Sequence, residues 1–383
     1  MGVKLENNLV YPDYNNKTIY SLSCGLAKFF DVKRNCISNP LNLSGNKIVF
    51  VFLDGLGWSL FSKINLNIET ERITTIFPST TSTVTATLFT AQTPGEHGIL
   101  GYTMFNKKLG GIINTLKYSY IAEPSNDTIK QYVPYLKAFP IKPWIQETDK
   151  KILSIVQNSI SNTEFTNSLH RDTNRPGISD VVGYYNMTDM LINLVKAINS
   201  NSYDGIFVYY DSADHLGHAY GYNSEFQNFI LYDSKIVLEN LVDIANRYRD
   251  KYTFIIFADH GQITVKKTIL WNNDQNLIDQ LELPPYGDSR AIWFKTRNNI
   301  KEYLESNYNL LVLNKEMIRE SSLLGNVMYD VDKNMMGDYL GIAKDNETKY
   351  IYTYRDNDPG INLKGNHSGL SEEEMYIPLI TIE

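Results

Sequence analysis

Cysteine is scarce. Cys24 and Cys36 are the only two in 383 residues, so a disulfide-built scaffold is excluded, and neither falls in a metal-type or redox-type spacing. Both are expected to be ordinary reduced thiols. No apolar run approaches the roughly 20 residues needed to cross a bilayer, and the opening MGVKLENNLVYPDYNNK lacks the apolar core of a secretory signal. Glu6 stands where a myristoylation motif needs a small hydroxyl residue. These absences predict a soluble, cytoplasmic protein. Basic clusters are missing too, and a net charge of −7 excludes a broad electrostatic grip on nucleic acid. There is no internal repeat and no low-complexity segment.

What is present is a set of short, nearly continuous apolar runs rich in β-branched residues. They are KIVFVFL (47–53), KILSIV (151–156), DGIFVYY (204–210), YTFIIFA (252–258) and YIPLITI (376–382). Such runs suit strands buried on both faces. Helix-like spacing lies between them, at 189–201 and at 226–250, where Phe229, Ile230, Val237, Leu241 and Ile244 recur on one side. The alternation predicts an α/β fold with a largely parallel central sheet and helices on both faces. A single catalytic domain is expected over 1–383. The polar, Asn-rich stretch 296–364 reads as an inserted segment within it, and 100–180 as irregular decoration.

The residues that follow these runs carry the chemistry. Asp54-Gly55 follows the first, DSADHLGH (211–218) the third, and Asp259-His260-Gly261 the fourth. In open α/β sheets ligands bind beyond the carboxyl ends of the strands. Each piece has a plain alternative: Asp-Gly is a common turn, and Asp214 and His218, four apart on a helix, can form a simple ion pair. Three strand ends all drawing on Asp and His outweigh those alternatives taken singly.

In order, FLDGLG (52–57), FPSTTST (77–83), PGEHGI (94–99), DHLGHAYG (214–221), ADHG (258–261) and GNHSG (365–369) followed by EEEMYIP resemble the alkaline phosphatase superfamily, nearest its type I phosphodiesterase/nucleotide pyrophosphatase branch. The resemblance runs from Asp54 to the last strand. It implies a two-metal phosphoesterase in which Asp214, His218 and His367 hold one ion. Asp54, Asp259, His260 and the nucleophile Thr81 hold the other. Zinc suits such a nitrogen and oxygen set best, with Mn or Fe as alternatives. The formylglycine motif of sulfatases is absent. The implied reaction is in-line displacement, with Thr81 forming a phospho-threonine and the metals clamping the attacking and leaving oxygens.

From Ser82 onward TVTATLFTAQ can form a helix, which puts Thr81 at its N-cap, where the helix dipole favours an alkoxide. Thr80 is the alternative nucleophile. His97 is expected to be structural, His215 exposed, and His170 to lie in a loop without a role. Two divalent ions against three aspartates leave one positive charge, which favours a phosphodiester over a dianionic monoester; Arg290 in GDSRA is the base that could alter this count. Where the family carries a phosphate-binding asparagine, this chain has Tyr102, a candidate substrate-binding phenol. The expected partner is a small phosphate ester, nucleotides among the candidates. The alternatives are phosphomonoesterase, phosphonoacetate-type hydrolase and phosphomutase chemistry, or an inactive homologue that only binds ligand. Oligomeric state is not legible.

Overall fold

The computed structural model describes residue 6 and residues 8–37, 39–223, 225–356 and 358–383. Its centre is a sheet of seven strands: β1 (Ile48–Leu53), β2 (Glu71–Thr74), β3 (Ile152–Gln157), β4 (Ser179–Tyr184), β5 (Gly205–Tyr210), β6 (Thr253–Phe257) and β7 (Tyr376–Ile382). Their spatial order is β2-β7-β6-β1-β5-β3-β4. From β6 to β4 all neighbours are parallel. All six residues of β1 are buried, as are all five of β6, which is what continuous apolar runs produce between two helical layers.

Two strands add detail to the largely parallel sheet that was expected. β7 runs antiparallel to β6 and to β2, and the short helix Glu372–Met375 leads straight into it. β4, SDVVGY, belongs to the main sheet although it carries no continuous apolar run. It is an edge strand with half-buried and exposed positions, so burial never demanded one.

The stretch from 100 to 180 is also more regular than its sequence suggests. Besides β3, the expected KILSIV strand, it contains a small antiparallel sheet of Thr103–Asn106, Gly111–Asn114 and Ser119–Tyr120. The segment expected as an insertion over 296–364 supplies Leu310–Asn314 and Tyr339–Ala343 to a four-stranded sheet, whose other strands lie ahead of it at Leu283–Gly287 and Ala291–Lys295. A separate apolar cluster that includes Trp271, Phe294, Leu304 and Tyr350 supports it. Among the described residues no helix is long and apolar enough to cross a membrane.

Cys24 and Cys36 form a disulfide, against the expectation of two free thiols, with Cα atoms 6.3 Å apart. Their separation of 12 residues carried no recognisable motif; the helix Ile19–Phe29 and the turn behind it bring them together.

Candidate active site

The carboxyl ends of β1, β5 and β6 lie side by side in the sheet, so the groups following each strand converge. Asp54 follows β1 directly, and its backbone carbonyl accepts from the Asp214 amide at 3.1 Å. Asp214 and His218 occupy one face of the helix Ser212–Tyr220 that follows β5, with His218 Nε2 3.4 Å from Asp214 Oδ1. Asp259 and His260 follow β6 after Ala258 and are fully buried. The turns that carry them are pressed together. A Cβ on Gly57 would lie 2.4 Å from the Gly261 Cα, and one on Gly55, where φ is +73°, would lie 2.7 Å from the Asp214 Cα. Only glycine permits that approach.

His367 arrives from near the end of the chain, and its Nε2 lies 3.8 Å from Asp214 Oδ1. A buried ion pair holds its loop. Arg290 Nε donates to Glu374 Oε1 at 2.7 Å, and Glu374 also accepts from the amides of Gly369 and Ser371. Arg290 is therefore spent on structure and is absent from the cavity wall, which corrects its candidacy as an extra cation for substrate. Ser79 joins this loop to the threonine run: its hydroxyl donates to the Gly369 carbonyl at 2.9 Å, and His367 Nδ1 meets the Ser79 carbonyl at 2.9 Å.

Thr81 begins the helix Thr81–Thr90, and Thr80 is the N-cap residue, with extended backbone at φ −141°, ψ 142°. The expected N-cap position for Thr81 is thus corrected by one residue. The helix starts earlier because Thr80 can remain extended while its carbonyl accepts from the Val84 amide. Thr81 Oγ1 is 3.4 Å from both Asp54 oxygens and 3.3 Å from His260 Nε2. The Thr80 hydroxyl turns elsewhere, to Asp288 Oδ1 at 3.3 Å.

Metal ions suit this donor set. Asp214, His218 and His367 present ligand atoms within 4.8 Å of one another, and so do Asp54, Asp214 and His260, which places Asp214 between the two groups. Asp259 Oδ1 accepts from the amides of Gly55 and His260, while its buried Oδ2 has no hydrogen-bond partner and lies 3.1 Å from His260 Nε2. A buried carboxylate oxygen without a donor is costly unless a cation takes it. The Nδ1 atoms of His218, His260 and His367 each face a backbone carbonyl, at 2.9, 3.1 and 2.9 Å. Those contacts fix the tautomer that leaves every Nε2 lone pair directed at the cluster.

Burial, and then the charges of Asp259 and Asp214, push the Asp54 carboxyl well above the usual carboxylate range. Burial raises Asp259 as well. Burial also works against the charged form of Asp214, but His218, His367 and His260 outweigh it and hold that carboxyl below its ordinary value. Three crowded carboxylates in a buried site call for compensating positive charge.

The remaining histidines belong to neither group of candidate ligands. His97 is buried, with Nε2 2.9 Å from the Thr87 hydroxyl and Nδ1 accepting from the Ile99 amide, a structural role. His170 ends the helix Glu164–His170 and packs on Phe89 with ring centroids 4.2 Å apart, so its expected loop setting is corrected. The His215 side chain is 74% exposed and pairs with Asp211 at 3.4 Å, and that hydrogen bond raises its pKa to about 9.

A cavity of about 650 Å³ opens over the cluster, lined by Asp54, Thr81 and His367 and walled farther out by Tyr102, Tyr352 and Tyr354. Tyr102 is 37% exposed, and its amide donates to Asp288 Oδ2 at 3.1 Å. The site includes groups that the motifs do not contain. The Tyr209 hydroxyl donates to Asp54 Oδ2, and Gln262 Nε2 donates to the Asp214 carbonyl at 3.1 Å. Asp288, half-buried in the cavity wall, joins Thr80 to Tyr102. Tyr209 stood inside an apolar strand run, where a tyrosine reads as core, and Asp288 stood in a turn.

A family profile for type I phosphodiesterase / nucleotide pyrophosphatase matches residues 48–334. An uncharacterised pyrophosphatase/phosphodiesterase of Schizosaccharomyces pombe is 24% identical over 294 residues, 74% of this chain and 54% of the yeast protein, so the chain spans about half that relative's length. Murine ectonucleotide pyrophosphatase / phosphodiesterase 5 superposes with a TM-score of 0.62 at 17% identity, over 87% of each chain, and an inactive variant of it has been solved with AMP. Phosphonoacetate hydrolase from Sinorhizobium meliloti superposes at 0.57 with 14% identity, over 88% of this chain and 90% of that one. The ordered motifs, the seven-strand sheet and the profile match agree: this chain belongs to the type I phosphodiesterase/nucleotide pyrophosphatase family of the alkaline phosphatase superfamily.

Proposed function

We propose that this protein hydrolyses phosphodiester or pyrophosphate bonds, with Thr81 as the nucleophile and two divalent metal ions as cofactors. The observation that carries the reading is the placement of the Thr81 hydroxyl, at the start of a helix and within 3.4 Å of Asp54 and His260, on the wall of a cavity that reaches His367. Asp214, His218 and His367 would hold one ion; Asp54, Asp259, His260 and Thr81 would hold the other. Zinc fits imidazole nitrogen and carboxylate oxygen best. Bound there, the ions supply Lewis acidity, lowering the pKa of a ligated hydroxyl and neutralising charge on the phosphoryl oxygens.

The chain's own groups do the rest. Asp54 accepts the Thr81 hydroxyl hydrogen and orients the oxygen toward the cavity. The helix dipole adds partial positive charge where the alkoxide develops. Thr81 Oγ1 then bonds to phosphorus as the ester P–O bond breaks, and the alcohol leaves with the bonding pair. Water next attacks the phospho-threonine, releasing a monoester and restoring Thr81. Tyr102 would donate its phenol to a phosphoryl oxygen. AMP in the murine relative and the aromatic outer wall of this cavity support a nucleotide-containing ester as substrate.

The Cys24–Cys36 bond supports an oxidising compartment for the folded protein, against the cytoplasmic expectation, because such bonds persist where thiols are not kept reduced. The test of the function is direct. The zinc-loaded protein should hydrolyse bis-p-nitrophenyl phosphate faster than p-nitrophenyl phosphate; the reverse preference would overturn the diester reading in favour of a monoesterase.

A further inference from the structure

Arg290, the cation that could have offset a second negative charge on the substrate, is locked to Glu374. Two residues before it in the chain, Asp288 brings a carboxyl group to the cavity wall instead. Its position is firmly set. Thr103 Oγ1 donates to the Gly287 carbonyl at 2.6 Å and accepts from the Gly287 amide at 3.0 Å, which pins the turn. The Asp288 amide donates to the Ala291 carbonyl at 3.0 Å. A Cβ on Gly101, where φ is +152°, would lie 2.7 Å from Asp288 Oδ2, so the glycine makes room for the carboxyl.

That carboxyl joins the two segments that the phosphoesterase reading places at the phosphoryl group. Oδ1 accepts from the hydroxyl of Thr80, the residue before the nucleophile, at 3.3 Å, and Oδ2 accepts from the Tyr102 amide at 3.1 Å. Among the described residues Asp288 forms no ion pair. The groups that face it are those two donors, the Tyr102 phenol, which burial keeps protonated, and, through its charge, His260. No step of the proposed reaction uses it. Two divalent ions against Asp54, Asp214 and Asp259 leave one positive charge, and an ionised Asp288 cancels it before substrate arrives.

We propose that Asp288 is a specificity-determining residue: its carboxylate sets a negative charge beside the phosphoryl group, which disfavours dianionic monoesters relative to singly charged diesters. The inference rests on the phosphoesterase reading and assigns its diester preference to one side chain. The repulsion scales with the charge on the substrate, so removing it helps both esters and helps the dianion more. In a cavity open to water it is screened, which keeps the effect moderate.

Asp288→Asn is the informative variant, because the amide keeps the shape of the carboxyl. Its oxygen can accept from the Tyr102 amide and its NH2 can donate to the Thr80 hydroxyl, so both contacts survive and the charge alone is lost. The zinc-loaded protein is assayed on p-nitrophenyl phosphate and methyl p-nitrophenyl phosphate, which share a leaving group and differ by one methyl group and one charge. On the alkaline side of neutrality the variant should raise kcat/KM for the monoester about tenfold and for the diester by less. Loss of a structural brace would not produce such a gain. Burial raises the Asp288 pKa to about 7. The wild-type diester-to-monoester ratio should therefore climb as pH rises through about 7, beyond the monoester's own second ionisation at about 6. In Asp288→Asn that climb should flatten. Ionisation of the nucleophile is needed for both esters and cancels in the ratio. A ratio unchanged by Asp288→Asn, or equal losses on both esters, would overturn the assignment and leave the phosphoesterase intact. A flat wild-type ratio across neutral pH would overturn it even if the variant failed to fold. Hydrolysis of neither ester by the wild-type protein would overturn both readings.

Discussion

Tyr209→Phe removes one oxygen from the site and leaves the ring, whose edge packs on Phe52 with centroids 5.4 Å apart. The lost hydroxyl donates to Asp54 Oδ2. Burial and then the charge of Asp54 keep the Tyr209 phenol well above its ordinary pKa, so it remains a neutral donor throughout the working pH range. A hydrogen bond to a charged group contributes about 1.5–3 kcal/mol, and outer partners of metal ligands typically change affinity or activity by about 10–100-fold. Two observations set the expectation within that range. Asp54 is only 2% exposed and is crowded by Asp259 and Asp214, which argues for a large loss. Tyr209 lines the cavity, however, so water can enter at the vacated position and recover part of it. The expected outcome is about tenfold weaker retention of one of two zinc ions, about 1.4 kcal/mol. Competition against a graded chelator would measure it, with little change in thermal stability of the zinc-loaded protein. Unchanged affinity for both ions together with unchanged kcat would refute the reasoning, because Asp54 would then need no donor from Tyr209.

Other outcomes follow from the same geometry. His367→Ala should lower the zinc content by about one ion per chain, since Asp214 and His218 alone supply two ligands; elemental analysis checks it. Tyr102→Phe should reduce kcat for diesters by about tenfold if its phenol donates to the phosphoryl group, and wild-type kinetics would mean that the ring only packs. Burial pushes the Asp288 carboxyl up to about 7, against about 3.9 in the unfolded chain. The folded state therefore holds its proton more tightly, and this stabilisation is complete at acid pH and fades as pH rises through about 7. Asp288→Asn should flatten that part of the Tm profile. Thiol titration of the denatured protein without reductant should find no free cysteine, and reduction should cost about 3 kcal/mol for a loop of this length.

Legibility in the sequence tracked burial and local geometry. β1, β5 and β6 were readable because a strand covered on both faces must be apolar throughout, and their Asp and His residues stood out as the first polar groups after each run. Asp214 and His218 were readable because four residues make one helical turn. β4 was not, since an edge strand half open to water needs no apolar run, and neither were the strands of the four-stranded sheet. The helix boundary at Thr81 slipped by one because any hydroxyl in the run can serve as an N-cap. The disulfide and the positions of Tyr209 and Asp288 depend on contacts between distant segments. No local pattern encodes those.

The central claim is that Thr81 takes up the phosphoryl group. Rapid acid quenching of the zinc-loaded protein turning over bis-p-nitrophenyl phosphate, followed by peptide mass spectrometry, tests it most directly. The account predicts a phosphoryl adduct on Thr81, and predicts that Thr81→Ala abolishes both adduct and turnover while zinc content survives largely intact. An adduct on Thr80, or near-normal hydrolysis by Thr81→Ala, would contradict it.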